Sequence, residues 1–373
     1  MRKRSVLAAT HYNVPVSFWS GKRVLITGHT GFKGGWLALM LQQKGAHITG
    51  LSLPPETEPN LFSVAGVDKA VDSRCGDIRS AEFVRETIAQ AKPEVVFHLA
   101  AQALVRRSYS DPAGTFATNV LGSINVFEAV RLTPSVGAIV NTTSDKCYEN
   151  REVLRPYRES DPMGGSDPYS GSKGCAELAA RAWRKSFFND RMLVSVRAGN
   201  VIGGGDWSED RLVPDCVRAF QRGEPVLLRN PNSLRPWQHV LEPLSGYLLA
   251  AEQILSGKTL ADGYNFGPDA EPVYRVEKVV AAAARHWGGG AVWALDARPS
   301  PPESCLLLLD STLARTDLGW CPRLSFDDCV AWTVEWYRRQ AAGEDMRAFT
   351  HRQIERYWSL PAEKAGSAGS LSG

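Results

Sequence analysis

Residues 24–35 read VLITGHTGFKGG, and this stretch constrains the fold more than any other part of the chain. An apolar run enters Gly28, Gly31 and Gly34, and a helix-like segment, WLALMLQQKG, follows directly. The order is strand, tight glycine turn and helix N-terminus, which presents bare backbone N–H groups to a pyrophosphate. Phe32 and Lys33 lie between the glycines and belong to the same candidate cofactor-binding stretch. The Lys33 ammonium would add a positive charge near the phosphates.

The first half keeps alternating after that turn. HITGLSL, EVVFHLAA, GAIVNTTS and MLVSVRAGNV read as strands. SAEFVRETIAQA reads as a helix with Ser80 as N-cap and Pro93 beyond its end. TNVLGSINVFEAVRL reads as one long helix, and the segment after Pro168 as another. Nearly continuous apolar strands alternating with helices specify a parallel sheet covered on both faces. With right-handed crossovers this is an α/β, Rossmann-like doubly wound fold. Past residue 199 the pattern changes to a loop-like VIGGGDWSEDR, a helix LVPDCVRAFQRG, a short strand PVLLRN and an amphipathic helix LEPLSGYLLAAEQILSG. The expected division is a nucleotide-binding domain over 18–198 with a return segment near 233–268. A smaller C-terminal α/β substrate lid is expected over 199–232 and 269–361, with flexible ends at 1–17 and 362–373.

A formal charge of +3, with its Lys and Arg scattered, gives no nucleic-acid footprint. No segment has the apolar length of a membrane helix, and VLAA near the start is too short for a signal peptide. The seven cysteines are odd in number and form no CxxC pair. That excludes a disulfide framework and a structural zinc site, and implies a reducing, cytoplasmic setting with no metal. Cys147 has no neighbouring His and reads as a packed residue rather than a nucleophile.

An acid that reads a cofactor ribose belongs at the end of the second strand. Here that place holds Gly50-Leu51-Ser52-Leu53, with no acid before Glu56 and no Arg for a 2′-phosphate. Lacking a cation there, NAD is favoured over NADP. Asp77-Ile78 follows an approach to the next strand, where Asp77 could accept an adenine amino group.

Tyr169 and Lys173 are four apart on a helix and share one face. A tyrosine is a poor base at its free pKa, and a neighbouring ammonium favours the phenolate, so the pair can take a proton from an alcohol. Ser144-Asp145-Lys146 closes the fourth strand, at the carboxyl edge where open α/β sheets bind ligands. Ser144 can hydrogen-bond a reacting hydroxyl. Asp145 and Lys146 set a carboxyl beside an amine, suited to giving one proton and taking another.

These pieces, TGHTGFKGG, CGDIR, HLAAQ (98–102), TNVLG (118–122), TTSDKCYEN (142–150), DPYSGSKG and RAGNVIGGGDW (197–207), resemble the extended short-chain dehydrogenase/reductases that modify nucleotide sugars. The resemblance runs from about Phe18 to Tyr357. Asp145-Lys146 and RPWQHV (235–240) resemble the branch of 4,6-dehydratases acting on CDP-sugars, since dTDP- and GDP-sugar relatives usually carry Glu where Lys146 stands. The resemblance implies bound NAD and a CDP-glucose substrate. Tyr169 would deprotonate the 4-hydroxyl as the hydride leaves C4. Lys146 would then take the C5 proton, Asp145 would protonate the departing C6 hydroxyl, and the hydride would return to C6. Leu99, Ala100, Ala101 and Asn119 would line the cofactor pocket. Gln102, Ser108 and Asn200 would face the sugar and diphosphate, and Arg211 and Arg235 would bind diphosphate or nucleoside. A homodimer or dimer of dimers and a role in deoxysugar supply for surface polysaccharide are also implied. A nucleotide-sugar 4-epimerase would need Tyr169 and Lys173 but not Asp145 and Lys146; a non-catalytic NAD(H) sensor would be expected to lose the tyrosine or lysine. PPESCLLLLD (301–310) departs from the family, with Pro302 in a His position, Glu303 retained, and leucines that read as a buried strand.

Overall fold

A computed structural model describes residues 17–189, 192–268, 274–288, 292–296 and 306–361. The strands are β1 (Arg23–Thr27), β2 (His47–Ser52), β3 (Asp72–Cys75), β4 (Val95–His98), β5 (Ala138–Thr142), β6 (Leu193–Ala198) and β7 (Gly263–Phe266). They form one sheet in the order β7-β6-β5-β4-β1-β2-β3, parallel at every pairing. The main helices are α1 (Phe32–Gln43), α2 (Ala81–Ala91), α3 (Gly122–Arg131), α4 (Pro168–Phe187), α5 (Leu212–Arg222), α6 (Leu241–Leu255), α7 (Val276–Trp287), α8 (Phe326–Ala341) and α9 (Met346–Ser359). The chain order reverses between β1 and β4, which opens a crevice at the carboxyl ends of those strands.

Period-two alternation explains why both faces are covered. Val24 and Ile26 of β1, Val95 and Phe97 of β4 and Val140 of β5 pack on the face of α1, α6, α8 and α9. Leu25, Val96 and Ile139 pack on the opposite face with α2, α3 and α4. Truncating a fully buried ring such as Phe97 would cost about 3–5 kcal/mol. β7 adds to the sheet beside β6, with Gly263 opposite Ser195 and Phe266 opposite Ala198. One hydrophobic core runs from Trp36 and Leu37 through Tyr247 to Trp332 and Trp336, so the C-terminal helices α8 and α9 pack onto the nucleotide-binding half.

Four expectations change. β3 has no apolar signature, because Asp72-Ser73-Arg74-Cys75 is an exposed edge strand held by backbone pairing to β2. TNVLGSINVFEAVRL is not one regular helix: residues Ala117–Leu121 widen into a π turn before α3. α6 is buried all round, Glu242 included, because it is wedged between the sheet and the C-terminal helices, so amphipathicity is not its pattern. Leu307, Leu308 and Leu309 are buried as expected, but single bridges tie the run, Leu306 to Leu234 and Leu309 to Tyr157. Pro302, Glu303 and most of the two ends (1–16 and 362–373) lie outside the described residues.

Candidate active site

The glycine turn is shaped by space. Gly28 takes φ +80°, and a Cβ there would approach the Ala100 nitrogen to 2.8 Å. A Cβ on Gly34 would meet the Gly28 carbonyl oxygen at 2.1 Å, so only glycine lets α1 start this close to β1. Gly31 is the N-cap, in extended geometry, and no side chain caps the first turn. The N–H groups of Phe32, Lys33 and Gly34 therefore have no intrahelical acceptor. This cradle fits a dinucleotide pyrophosphate. Lys33 is half-buried, and its ammonium is pushed down to about 8 by burial and by Arg211 and Lys173, against the pull of Asp145 and Asp206. It therefore faces the reactive cluster as well as the turn.

Beside the turn, Thr27 holds the end of β4. Its Oγ1 accepts the N–H groups of Leu99 and Ala100, each at 3.1 Å, and pairs with His98 Nδ1 at 2.7 Å. His98 Nε2 lies 2.9 Å from Ser123 Oγ, which donates to the Asn119 carbonyl. Leu99, Ala100 and Ala101 are thus fixed next to Gly28. At the end of β2 the two hydroxyls of Ser52 and Thr30 pair at 2.7 Å, where a carboxylate would otherwise read a ribose. Glu56 is committed to Arg107. Asp77 gives both oxygens to Arg79, whose guanidinium and N–H hold the carboxyl below its ordinary range. Ile78 is buried against Gly122, and its carbonyl accepts from Asn125.

Asn119, in the π turn, is a buried junction. It accepts from the Gln102 N–H at 2.8 Å and donates to the Gln102 carbonyl at 3.0 Å and to Ser172 Oγ at 2.9 Å. Gln102 itself is half-buried; its side-chain amide donates to Thr115 Oγ1 and its side-chain oxygen accepts the Leu104 N–H. Ser108 sits differently from the expectation. It is fully buried, donates to the Val105 carbonyl and accepts the Tyr169 N–H at 3.1 Å, so it sets the start of α4.

The reactive side chains converge from two elements, α4 and the turn after β5. Tyr169 is near the start of α4, capped by Asp167, whose Oδ1 accepts the Ser170 N–H at 2.9 Å. Burial pushes its phenol up to about 12, opposed by a hydrogen bond with Ser144 and by the charge of Arg211. The expectation that Lys173 lowers this pKa is corrected. The Lys173 ammonium lies 6.0 Å from the ring centroid and is itself pushed down to about 8 by burial, with Glu177 opposing. Ser144 is thus a hydrogen-bonding partner of Tyr169, and the Lys173 ammonium stands over the ring.

Ser144 Oγ also donates to Asp145 Oδ1 at 2.9 Å. Asp145 Oδ2 and Thr142 Oγ1 are buried without a partner. Buried polar atoms are rarely left unpaired, so this turn is shaped for a ligand that supplies partners. Lys146 is half-buried, and among the described residues no hydrogen bond or ion pair engages its ammonium. Arg211 lies 3.5 Å from Asp206, and Arg235 is buried on the segment Leu234–Arg235, which pairs with Tyr274–Arg275. Asn200 is half-buried and accepts the Gln238 N–H through its carbonyl. Cys147 is fully buried, and desolvation raises its thiol far out of nucleophilic range. Thr27 is the supporting residue that sequence reasoning missed, since it gains meaning only from His98, Leu99 and Ala100, distant in the chain.

The glycine cradle, the Tyr169–Ser144 contact and the Asp145–Lys146 turn at one sheet edge define a nucleotide-dependent enzyme acting on an alcohol. The profile of the NAD-dependent epimerase/dehydratase family matches residues 24–267, and the chain belongs to that family. It is 49% identical over 351 residues to the CDP-glucose 4,6-dehydratase of Salmonella typhimurium, covering 92% of this chain and 98% of that protein. It is 29% identical to a UDP-glucose 4-epimerase of Mycolicibacterium smegmatis, over 86% of this chain and 99% of that protein. Among solved structures, a Thermus thermophilus UDP-glucose 4-epimerase in complex with NAD superposes with a TM-score of 0.74 at 26% identity, covering 85% and 99% of the two chains. A Streptomyces venezuelae dTDP-glucose 4,6-dehydratase shares the fold, with a TM-score of 0.74 at 23% identity over 86% and 98%.

Proposed function

We propose that this chain is an NAD-dependent lyase that converts CDP-glucose to CDP-4-keto-6-deoxyglucose with loss of water. The observation that carries the reading is the 49% identity to a CDP-glucose 4,6-dehydratase along nearly the whole of both chains. The unpaired Asp145 oxygen and the unengaged Lys146 ammonium, side by side at the sheet edge, support it.

NAD, held by the Gly28–Gly34 cradle, residues 99–101 and Lys173, supplies acceptance of the C4 hydride and its return to C6. Tyr169, hydrogen-bonded to Ser144, takes the proton of the sugar 4-hydroxyl. The resulting 4-keto group acidifies C5. Lys146 removes the C5 proton and returns it to C5 once the hydride has reached C6, and Asp145 protonates the C6 hydroxyl, which leaves as water. Arg211 and Arg235 anchor the diphosphate and nucleoside by guanidinium contacts. Asp77 and Ile78 border the adenine end, and Asn200 faces the sugar.

The exposed Phe116 and Leu121 beside α3, with Leu178 and Phe187 on α4, support a homodimer formed by those helices. Among the described residues six cysteines are free, and no helix is long and apolar enough to cross a membrane, which supports a reducing, cytoplasmic setting.

Incubation with CDP-glucose and NAD, followed by product mass and alkaline absorbance, tests the reading. The expected result is loss of one water and a 4-keto-6-deoxy chromophore. Recovery of only a C4 epimer would identify an epimerase, and NAD binding without turnover of any nucleotide sugar would identify a sensor.

A further inference from the structure

Behind the reactive turn lies an ion pair that the chemistry above does not use. Glu177 sits one helical turn beyond Lys173 on α4, and Arg197 sits on β6; their exposures are 5% and 3%. Arg197 grips the carboxylate in a two-pronged contact, Nε to Oε1 at 2.7 Å and Nη2 to Oε2 at 2.9 Å. Its remaining nitrogen, Nη1, donates to the Tyr148 hydroxyl at 2.8 Å. Tyr148 donates onward to Asn265 Oδ1 on β7 at 2.7 Å. Glu177 Oε1 also accepts the hydroxyl of Thr143. A Cβ on Gly263 would come within 2.7 Å of Arg197 Nη2, so β7 keeps a glycine where the guanidinium passes.

Thr143 and Tyr148 bracket Ser144-Asp145-Lys146-Cys147. Both ends of the reactive turn are therefore tied to one pair, and that pair belongs to the helix bearing Tyr169 and Lys173. A buried ion pair is weak as a source of stability, because desolvation offsets its attraction. What it supplies is fixed geometry, since a forked guanidinium and a carboxylate can meet in few ways.

We infer that Glu177 and Arg197 are positioning residues, which act through Thr143 and Tyr148 to hold the Ser144–Lys146 turn in register with Tyr169 and Lys173. The inference rests on the dehydratase reading. Removing either charge would leave the other buried and unpaired, so the test cuts the tethers and leaves the pair. The double variant Thr143→Val, Tyr148→Phe removes both hydroxyls while keeping side-chain bulk. Its kcat with CDP-glucose should fall about tenfold or more while KM stays within about twofold, because Arg211 and Arg235 do not ride on the turn. Reduced cofactor should accumulate on the enzyme, because the elimination groups Asp145 and Lys146 are the ones displaced. The variant Thr143→Ser, Tyr148→Phe keeps one tether and should recover much of the rate. A kcat within about twofold of wild type, with the cofactor still oxidised, would overturn the inference whatever happens to the melting temperature. Should the double variant fail to fold, Thr143→Val alone carries the same criteria. Wild type run in parallel separates the failures: no dehydrated product from it would sink the dehydratase reading and the inference together, whereas normal wild-type product beside an unaffected variant would sink the inference alone.

Discussion

The turns at residues 28–34 and 142–148 sit at the same edge of the sheet and are built in opposite ways. The first is made of missing side chains. Gly28 and Gly34 are needed because a single added carbon would strike backbone at 2.8 and 2.1 Å. The second is made of side chains that find one another across the chain: Ser144 with Tyr169, Thr143 with Glu177, and Tyr148 with Arg197 and Asn265. The first turn needs only backbone and room, as suits the binding of phosphates. The second needs particular protons at particular atoms, as suits the breaking of bonds.

The contrast can be broken most sharply at Tyr169. Tyr169→Phe deletes one hydroxyl and should lower kcat about 10³-fold, with NAD affinity by calorimetry within about threefold. Near-normal turnover would remove Tyr169 from its role. Lys146→Ala should permit C4 oxidation yet slow product release about 10²-fold, seen as enzyme-bound reduced cofactor. Full-rate release would mean that another group takes the C5 proton. On the other turn, Gly34→Ala should weaken NAD binding about tenfold or more. Gly31→Ala should leave the melting temperature nearly unchanged, since a Cβ there meets no protein atom closer than 3.4 Å, and should act on NAD only through the approach of the pyrophosphate. A melting temperature lowered equally by the two substitutions would contradict the spatial account of the cradle.

The smallest effect concerns a third junction, far from the chemistry. Glu242 on α6 accepts the N–H groups of Arg323 and Leu324 at 2.9 and 2.8 Å and the Tyr357 hydroxyl at 2.8 Å. Burial pushes its carboxyl up to about 7. Between the ordinary carboxyl range and pH 7 the folded state then holds more protons than the unfolded state, so this group's contribution to stability falls as pH rises through that window. Glu242→Gln should relieve up to about 3 kcal/mol of that fall, read as a flatter melting temperature against pH than wild type shows. Parallel curves for variant and wild type would show that Glu242 does not titrate there.

How far each region was legible in the sequence follows the same contrast. The cradle could be read because glycines between an apolar strand and a helix carry their reason locally. The sheet could be read because buried parallel strands are continuous apolar runs. β3 could not, since an exposed edge strand has no hydrophobic pattern to show. Tyr169, Lys173, Asp145 and Lys146 were singled out by type and spacing. Their electrostatics were not, because the phenol hydrogen-bonds with Ser144 while the Lys173 ammonium stands over the ring, and that depends on how deeply α4 is buried. Ser108 stood out for a related reason: a polar residue near a site looks like a ligand contact until its neighbours are seen to occupy it. Arg197 and Asn265 gave no local signal, since their partners lie 20 and 117 positions away.

The most direct test of the account follows the hydrogen at C4. CDP-glucose carrying deuterium at C4 is turned over with unlabelled NAD in ordinary water, and the product is examined by mass and NMR. Dehydration through Tyr169, Lys146 and Asp145 requires the deuterium to arrive at C6 of a product lighter by one water. Deuterium still on C4 of a hexose that has kept all its oxygens would contradict it.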